Sequence, residues 1–335
     1  MGISDFERFA FIVGAPRCGT TTLSYFLRNH PSICFPFVKE PHFFVQHDLR
    51  GASDAELRDQ VEREYLERFF AHCEADRRIG ADGSVSYLYT PEQMEPILRL
   101  WPDSRFVIAL RDPMAMLPSL HNRLIYLGDE TIARFEDAWA AAPARAEGRR
   151  IPRGCADPRW LRYDEAGRFG TYVERFFAAV GRERCLVVLF DDLSTDPEGQ
   201  YRRMMNFLGL PPVDGIEFGA RRKSHDVRYM WLQRLLKRPP KAVREYLAGE
   251  HYRQRERNLD DESDGIPALG KVLSVRKRLL RWNRMPHSRR PLPLALQQEI
   301  RLHLREEIDH LGRLIGRDLG HWLQPRSGSR SEASP

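Results

Sequence analysis

The sequence lacks any hydrophobic segment long enough to cross a membrane. No stretch approaches the roughly 18 apolar residues that a membrane-spanning helix requires, so we expect no membrane span. The first apolar run, residues 9–13, is too short for the hydrophobic region of a signal peptide. A cytoplasmic protein is therefore the default expectation.

Cysteine is scarce and irregularly spaced. No Cys-x-x-Cys pair occurs, and the five cysteines are Cys18, Cys34, Cys73, Cys155 and Cys185. An odd number of scattered cysteines fits free thiols in a reducing compartment better than a disulfide framework.

The charge balance is only mildly basic. The chain carries 53 Lys and Arg against 47 Asp and Glu, a net charge of +6, and 42% of its residues are hydrophobic. This composition supports a globular domain with a substantial core. The positive excess fits either an ordinary Arg-rich surface or an anionic partner, such as a nucleotide, an acidic glycan, a nucleic acid or an acidic membrane.

Buried strands alternate with helical patterns over the first two thirds of the chain. Short apolar runs predict strands at Phe9–Val13, Arg105–Leu110 and Cys185–Phe190. Apolar residues at helical spacing predict helices over residues 52–72, 91–100, 135–142 and 170–180. This alternation predicts an α/β fold with a parallel central sheet and helices on both faces.

The C-terminal third of the chain has a different residue pattern. We expect one domain over residues 1–323, with its core in 9–210, a basic helical region in 211–292 and a closing helix in 293–323. The closing helix has an apolar stripe at Leu296, Ile300, Leu304, Ile308, Leu311 and Ile315. The Ser- and Arg-rich tail, 324–335, is predicted to be disordered.

The most informative segment follows the first strand and precedes a helical pattern at Leu23, Phe26 and Leu27. It reads Gly14-Ala-Pro-Arg-Cys-Gly-Thr-Thr-Thr22. Free backbone N–H groups and the helix dipole make a helix N-terminus bind anions. Gly14 and Gly19 let the main chain curl closely around such a group. The loop predicted to bind phosphate or sulfate comprises Arg17, Cys18, Gly19, Thr20, Thr21 and Thr22.

The glycine spacing of this loop resembles the Walker A motif, which requires Lys and then Ser or Thr after the second Gly. Gly19 is followed by Thr20, so the lysine that reaches the β- and γ-phosphates is missing. Asp191 and Asp192 end a strand that looks like Walker B, but many buried strands end in acidic turns. A P-loop kinase or NTPase is therefore the weaker alternative.

The loop more closely resembles the 5′-phosphosulfate loop of sulfotransferases that use 3′-phosphoadenosine-5′-phosphosulfate (PAPS), with a pattern near G-x-x-K-x-G-T-T-x-L. The matching residues are Gly14, Gly19, Thr20, Thr21 and Leu23. Arg17 stands where the family usually has Lys, and arginine binds anions well but donates protons poorly. The resemblance implies a P-loop-like three-layer fold and transfer of a sulfuryl group to a hydroxyl or amine.

A second match lies where a predicted strand ends in Arg111-Asp112-Pro113. In the family, a strand ending in R-D-P, followed by a serine at the distance of Ser119, holds the 3′-phosphate. The resemblance therefore implies that Arg111 and Ser119 bind this phosphate. A cation at a strand's carboxyl end and a hydroxyl on the next helix meet at the ligand-binding edge of an open α/β sheet.

A third match is Lys39-Glu-Pro-His-Phe-Phe44, similar to a K-E-x-H-F-F-like segment in glycan-directed and many bacterial members. Its Glu is taken to deprotonate the acceptor, which implies Glu40 as the general base, with His42 as its rival. Lys39 is a candidate contact of the transferring sulfuryl group. The alternative is a turn in which Glu40 pairs with Lys39 or an arginine.

Weaker signals complete the expectation. The segments Asp82-Gly-Ser84 and Ser86-Tyr87 resemble an acidic, Ser and Tyr cluster of the family, and Arg222 and Lys223 lie where a nucleotide-clamping loop often sits. Residues 271–290 are strongly basic. A solvated charged face is the favoured interpretation of that segment, with a polyanionic acceptor next and nucleic acid or lipid also considered.

The sequence predicts PAPS as donor, no metal and no nucleic-acid partner. His303, Glu307 and His310 could share a helix face, but polar residues on an amphipathic helix explain them more simply. The acceptor class, whether glycan, lipid or small metabolite, and the oligomeric state stay open. A non-catalytic polyanion-binding module is the second alternative.

Overall fold

A five-stranded parallel sheet forms the centre of the protein, in the order β2-β3-β1-β4-β5. The computed structural model describes residues 2–74, 76–219, 225–238, 267–286 and 292–324. The strands are β1 Arg8–Gly14, β2 Ile33–Cys34, β3 Ile79–Asp82, β4 Arg105–Leu110 and β5 Cys185–Leu189. A separate antiparallel ribbon pairs β6 His225–Val227 with β7 Arg284–Pro286.

Helices surround the sheet. The first group is α1 Thr20–Arg28, α2 Phe43–Gln46, α3 Asp54–Val61, α4 Glu67–Phe70 and α5 Glu95–Leu100. The middle group is α6 Pro113–Leu127, α7 Phe135–Ala140, α8 Ala142–Ala146, α9 Tyr163–Ala166, α10 Phe169–Val180, α11 Phe190–Thr195 and α12 Pro197–Leu208. The last group is α13 Met230–Lys237, α14 Pro267–Trp282 and α15 Leu294–Ile315.

The three predicted strands are present, and the α/β class with a parallel central sheet is confirmed. The sequence did not signal β2 and β3. β2 has only two residues, and β3 has glycine and alanine at its centre. A Cβ on Gly80 would lie 2.3 Å from the Phe9 ring, so that aromatic side chain occupies the space that a larger residue in β3 would need.

The closing helix, predicted over residues 293–323, ends at Ile315 as α15 and packs against α10. Leu296, Ile300, Leu304, Ile308 and Leu311 are buried, whereas Ile315 is half-buried. Glu307 fastens the two helices, because its carboxylate accepts hydrogen bonds from the Thr171 amide at 2.8 Å and its hydroxyl at 2.7 Å. Within the described ranges, no helix is both long and apolar enough to span a bilayer.

The expectation of free thiols is wrong for two of the five cysteines, Cys34 and Cys73. They form a disulfide, with Cα atoms 5.8 Å apart across 39 residues of sequence. Cys18, Cys155 and Cys185 are free. The scattered spacing hid this pairing, because the sequence did not reveal β2, the strand that contains Cys34.

Candidate active site

The three predicted motifs meet at the carboxyl-terminal edge of the sheet. Gly14, at the end of β1, is in register with Ala109 of β4, and β4 ends beside β5. Asp82, the last residue of β3, lies opposite Phe11 of β1. The loop over residues 14–22 (the anion loop), Arg111 and the residues after Asp82 therefore emerge from adjacent strands, where open α/β sheets bind ligands.

Two glycines shape the anion loop. Gly14 has φ of 131°, and a Cβ there would lie 2.2 Å from the Ala109 carbonyl oxygen. Gly19 caps α1 in the left-handed region, with φ of 85°, and a Cβ there would lie 2.7 Å from the Leu193 side chain. No larger residue fits either position without movement, so the two glycines let the loop pack closely against β4 and against Leu193 of the same chain.

Arg17 has an unusual backbone conformation and contacts both residues that are predicted to bind the 3′-phosphate, Arg111 and Ser119. Its φ is 71°, a region that non-glycine residues rarely occupy and that typically costs on the order of 1–3 kcal/mol. Its Nε donates to the Ser119 hydroxyl at 3.0 Å, and its carbonyl accepts from Arg111 at 3.3 Å. The loop and the end of β4 are thus in direct contact.

Arg111 lies between this loop and an aromatic side chain. Its guanidinium is 4.3 Å from the centre of the Phe190 ring, and Phe190 begins α11 directly after β5. Burial raises the pKa of Cys18, while the charges of Arg111 and then Arg17 oppose that rise. Two cations therefore act on the loop. Sequence reasoning missed Phe190, although an aromatic residue ending a strand at the ligand edge was available as a signal.

The Lys39–Phe44 segment docks on the residues that follow β3. The Gly83 amide donates to the Lys39 carbonyl at 3.2 Å, and a Cβ on Gly83 would lie 2.9 Å from both that oxygen and the Ser24 hydroxyl of α1. The His42 amide donates to the Ser84 hydroxyl at 2.8 Å. The segment is therefore held next to α1, the helix that begins at the anion loop.

Asp82 fixes this docking from inside the core. It is fully buried, and its carboxylate accepts hydrogen bonds from Tyr65 at 2.9 Å, Tyr87 at 3.2 Å and the Ser84 amide at 2.8 Å. Burial is the largest influence on its pKa and raises it. Because the Ser84 hydroxyl in turn accepts from the His42 amide, the Asp82-Gly-Ser84 segment supports the Lys39–Phe44 segment.

Glu40 is ion-paired with Lys39, the alternative that the sequence left open. Its other carboxylate oxygen is 3.7 Å from His42 Nε2, and His42 Nδ1 is 2.7 Å from the Ser86 hydroxyl. Burial raises the pKa of Glu40, but the adjacent His42 and Lys39 side chains outweigh burial and lower the pKa to about 2. Glu40 is therefore a carboxylate at neutral pH.

The acidic pair after β5 holds the C-terminal segment. Asp191 accepts from the Trp322 indole at 3.1 Å, and Asp192 pairs with Arg317 at 3.0 Å. These contacts give the Walker-B-like turn a structural role, which weakens the NTPase alternative. The proposed clamp residues Arg222 and Lys223, like most of the predicted tail, lie outside the described residues.

Comparison with known proteins places the chain in a family. The sulfotransferase family profile matches residues 10–214. Heparan sulfate glucosamine 3-O-sulfotransferase 3A1 of Mus musculus is 26% identical over 204 residues, 61% of this chain and 46% of that protein. Protein-tyrosine sulfotransferase 2 of Gallus gallus is 26% identical over 221 residues, 62% of this chain and 52% of that protein. The chain spans about half the length of the curated relatives it matches.

The fold also has a solved counterpart. The crystal structure of a sulfotransferase from Alicyclobacillus acidocaldarius covers 94% of this chain and 98% of its own, with a TM-score of 0.60 and 21% identity. This likeness confirms the predicted P-loop-like α/β architecture. Because the family profile covers more than half of its residues, the chain belongs to the sulfotransferase family.

Proposed function

We propose that the protein transfers a sulfuryl group from PAPS to an acceptor hydroxyl or amine. The observation that carries the proposal is a contact between the loop predicted to bind the 5′-phosphosulfate and the residues predicted to bind the 3′-phosphate. Arg17 of the loop is hydrogen-bonded to both Ser119 and Arg111. The 3′- and 5′-substituents of a nucleotide are attached to the same ribose, so the sites that bind them must be neighbours. Family membership supports the same activity.

The donor would lie across the edge of the sheet. The backbone N–H groups of the anion loop, with Thr20, Thr21 and Thr22 in the first turn of α1, would bind the 5′-phosphosulfate. Arg111 and Ser119 would bind the 3′-phosphate, because hydrogen bonds from a charged guanidinium to phosphate are strong. Arg222 and Lys223 are proposed, from the family resemblance, to contact the nucleotide.

The reaction follows from these positions. The acceptor oxygen or nitrogen attacks sulfur, the bond from sulfur to the 5′-phosphate oxygen breaks, and that oxygen leaves with the electron pair. By analogy with phosphoryl transfer, the protein positions both partners and stabilises spreading negative charge. Arg17 and the loop N–H groups would stabilise the leaving oxygens.

Glu40 is the proposed acceptor of the substrate proton. With a pKa of about 2 it is a weak base while paired with Lys39. If Lys39 turns to the transferring sulfuryl group, Glu40 loses its partner and its pKa rises toward the range of a useful base. His42, hydrogen-bonded to Ser86 and close to Glu40, is the rival.

A carbohydrate is one proposed acceptor, because several relatives are named as heparan sulfate 3-O-sulfotransferases. The test incubates the protein with sulfur-labelled PAPS and pools of glycans, lipids and small metabolites. We expect label transfer that depends on an acceptor. Magnesium-dependent turnover of ATP without label transfer would favour the kinase alternative. Salt-sensitive heparin binding without donor binding would favour the polyanion-binding module.

A further inference from the structure

A helical hairpin stands beside the catalytic core and is firmly held together. It consists of residues 225–238 and 267–286, in which β6 pairs with β7 and α13 packs on α14. The fully buried Asn283 accepts the Tyr229 amide at 2.8 Å and donates to Gln233 at 3.2 Å. Gln233 also donates to the Tyr126 carbonyl of α6 at 2.6 Å, which fixes the hairpin to the core.

Many of the exposed side chains of this hairpin are large and hydrophobic. Among the described residues, nine large hydrophobic side chains are exposed, and seven of them lie here: Tyr229, Trp231, Leu235, Val275, Leu279, Trp282 and Met285. Trp231 and Leu235, 68% and 56% exposed, lie one turn apart on α13, opposite the buried Gln233. The stripe on α14 has helical spacing and joins α13 where Trp282 stacks on Tyr229 at 5.8 Å.

The same hairpin is strongly cationic. Its two segments contain ten Lys and Arg residues and a single acidic residue, Asp226. Burial lowers the pKa of Lys237 to about 8, and the charges of Arg276, Arg123 and other nearby arginines add to that effect. Arg238 is paired with Asp129, but Lys277, Arg278 and Arg281 are exposed to solvent. The partner of such a surface must be anionic.

The exposed aliphatic side chains decide which kind of anion fits. A sulfated polysaccharide would match the arginines and could stack on the tryptophans, but it offers nothing to Leu235, Val275 or Leu279. An anionic bilayer accommodates aliphatic, aromatic and cationic side chains alike. Aliphatic groups enter the acyl region, Trp and Tyr prefer the interface, and Arg binds lipid phosphates. We propose that this hairpin docks the protein on the surface of an anionic lipid membrane.

This docking goes beyond sulfuryl transfer and does not depend on it. The test is flotation of the full chain with phosphatidylcholine vesicles that contain or lack phosphatidylglycerol. We expect binding to the anionic vesicles only. Equal binding to both, or to neither, would overturn the proposal.

Two double variants separate the apolar and charged contributions. Trp231→Ser with Leu235→Ser should weaken vesicle binding at least about tenfold, as should Lys277→Glu with Arg278→Glu. The control is Leu294→Ser with Leu302→Ser, which removes exposed apolar residues of α15 and should leave binding unchanged. An equal loss in this control, or full binding by either hairpin variant, would contradict the proposal.

Two further measurements guard against misfolding and against the polysaccharide alternative. Brominated anionic lipids should quench tryptophan fluorescence of the unaltered protein, and absence of quenching would overturn insertion. Heparin binding that the charge variant abolishes, without any vesicle binding, would assign the hairpin to a polysaccharide instead.

Discussion

Replacing Arg17 with alanine probes the proposed stabilisation of the leaving group. The side chain donates to Ser119 at 3.0 Å and adds a fixed positive charge to the anion loop. Loss of one preorganised donor to developing negative charge typically costs roughly 3–4 kcal/mol of barrier. We therefore expect Arg17→Ala to reduce kcat by about two to three orders of magnitude.

The fold should tolerate this change. Arg17 has a positive φ, and alanine meets the same backbone restriction as arginine there, so the variant adds no new strain. The effect should appear in kcat more than in donor affinity, because the charge on the leaving oxygen grows in the transition state. Arg17→Lys keeps the charge and should recover part of the rate.

The assay is acceptor-saturated turnover of labelled PAPS, with melting temperature as the check on folding. The matched control is Arg202→Ala, which removes an exposed arginine paired with Glu198 on α12 and should leave kcat unchanged. An Arg17→Ala enzyme that folds normally and turns over at the unaltered rate would remove Arg17 from the mechanism.

Three other predictions concern donor affinity, pH and the disulfide. Arg111→Ala should weaken binding of 3′-phosphoadenosine-5′-phosphate about tenfold to a hundredfold in calorimetry, since charged hydrogen bonds contribute about 1.5–3 kcal/mol; an unchanged Kd would contradict its role. With Glu40 as base and a pKa of about 2 in the free enzyme, kcat/KM should show no acid limb between neutral pH and about pH 4, and an acid limb within that range would contradict Glu40 as the base. The ion pair of Glu40 should stabilise the fold above the ordinary carboxyl pKa and lose that effect as pH falls toward about 2. Reducing the Cys34–Cys73 disulfide should lower stability by up to about 4 kcal/mol in urea unfolding, because it closes a loop of 39 residues, and an unchanged midpoint would contradict that contribution.

Much of the central sheet could be predicted from the sequence. β1, β4 and β5 are continuous apolar runs, the signature of strands buried on both faces. β3 escaped detection because Gly80 makes room for the Phe9 ring, and this requirement arises from the neighbouring strand. The Cys34–Cys73 pairing depends on the same unseen part of the sheet.

The candidate site, like the sheet, could be predicted from the sequence only in part. The anion loop and Arg111 could be predicted as a candidate phosphate site, because their residue types and spacing are typical of phosphate binding. The ring of Phe190 beneath Arg111 and the support of Ser84 by Asp82 depend on which strands are neighbours. The state of Glu40 also required geometry, since the influences on its pKa come from the placement of Lys39 and His42.

The most direct test of the central claim compares two nucleotides in a thermal melt. If the anion loop and the Arg111–Ser119 pair bind one nucleotide, 3′-phosphoadenosine-5′-phosphate should raise the melting temperature. 5′-AMP at the same concentration should raise it far less, because it lacks the 3′-phosphate. Equal protection by the two nucleotides, or none by either, would contradict the account.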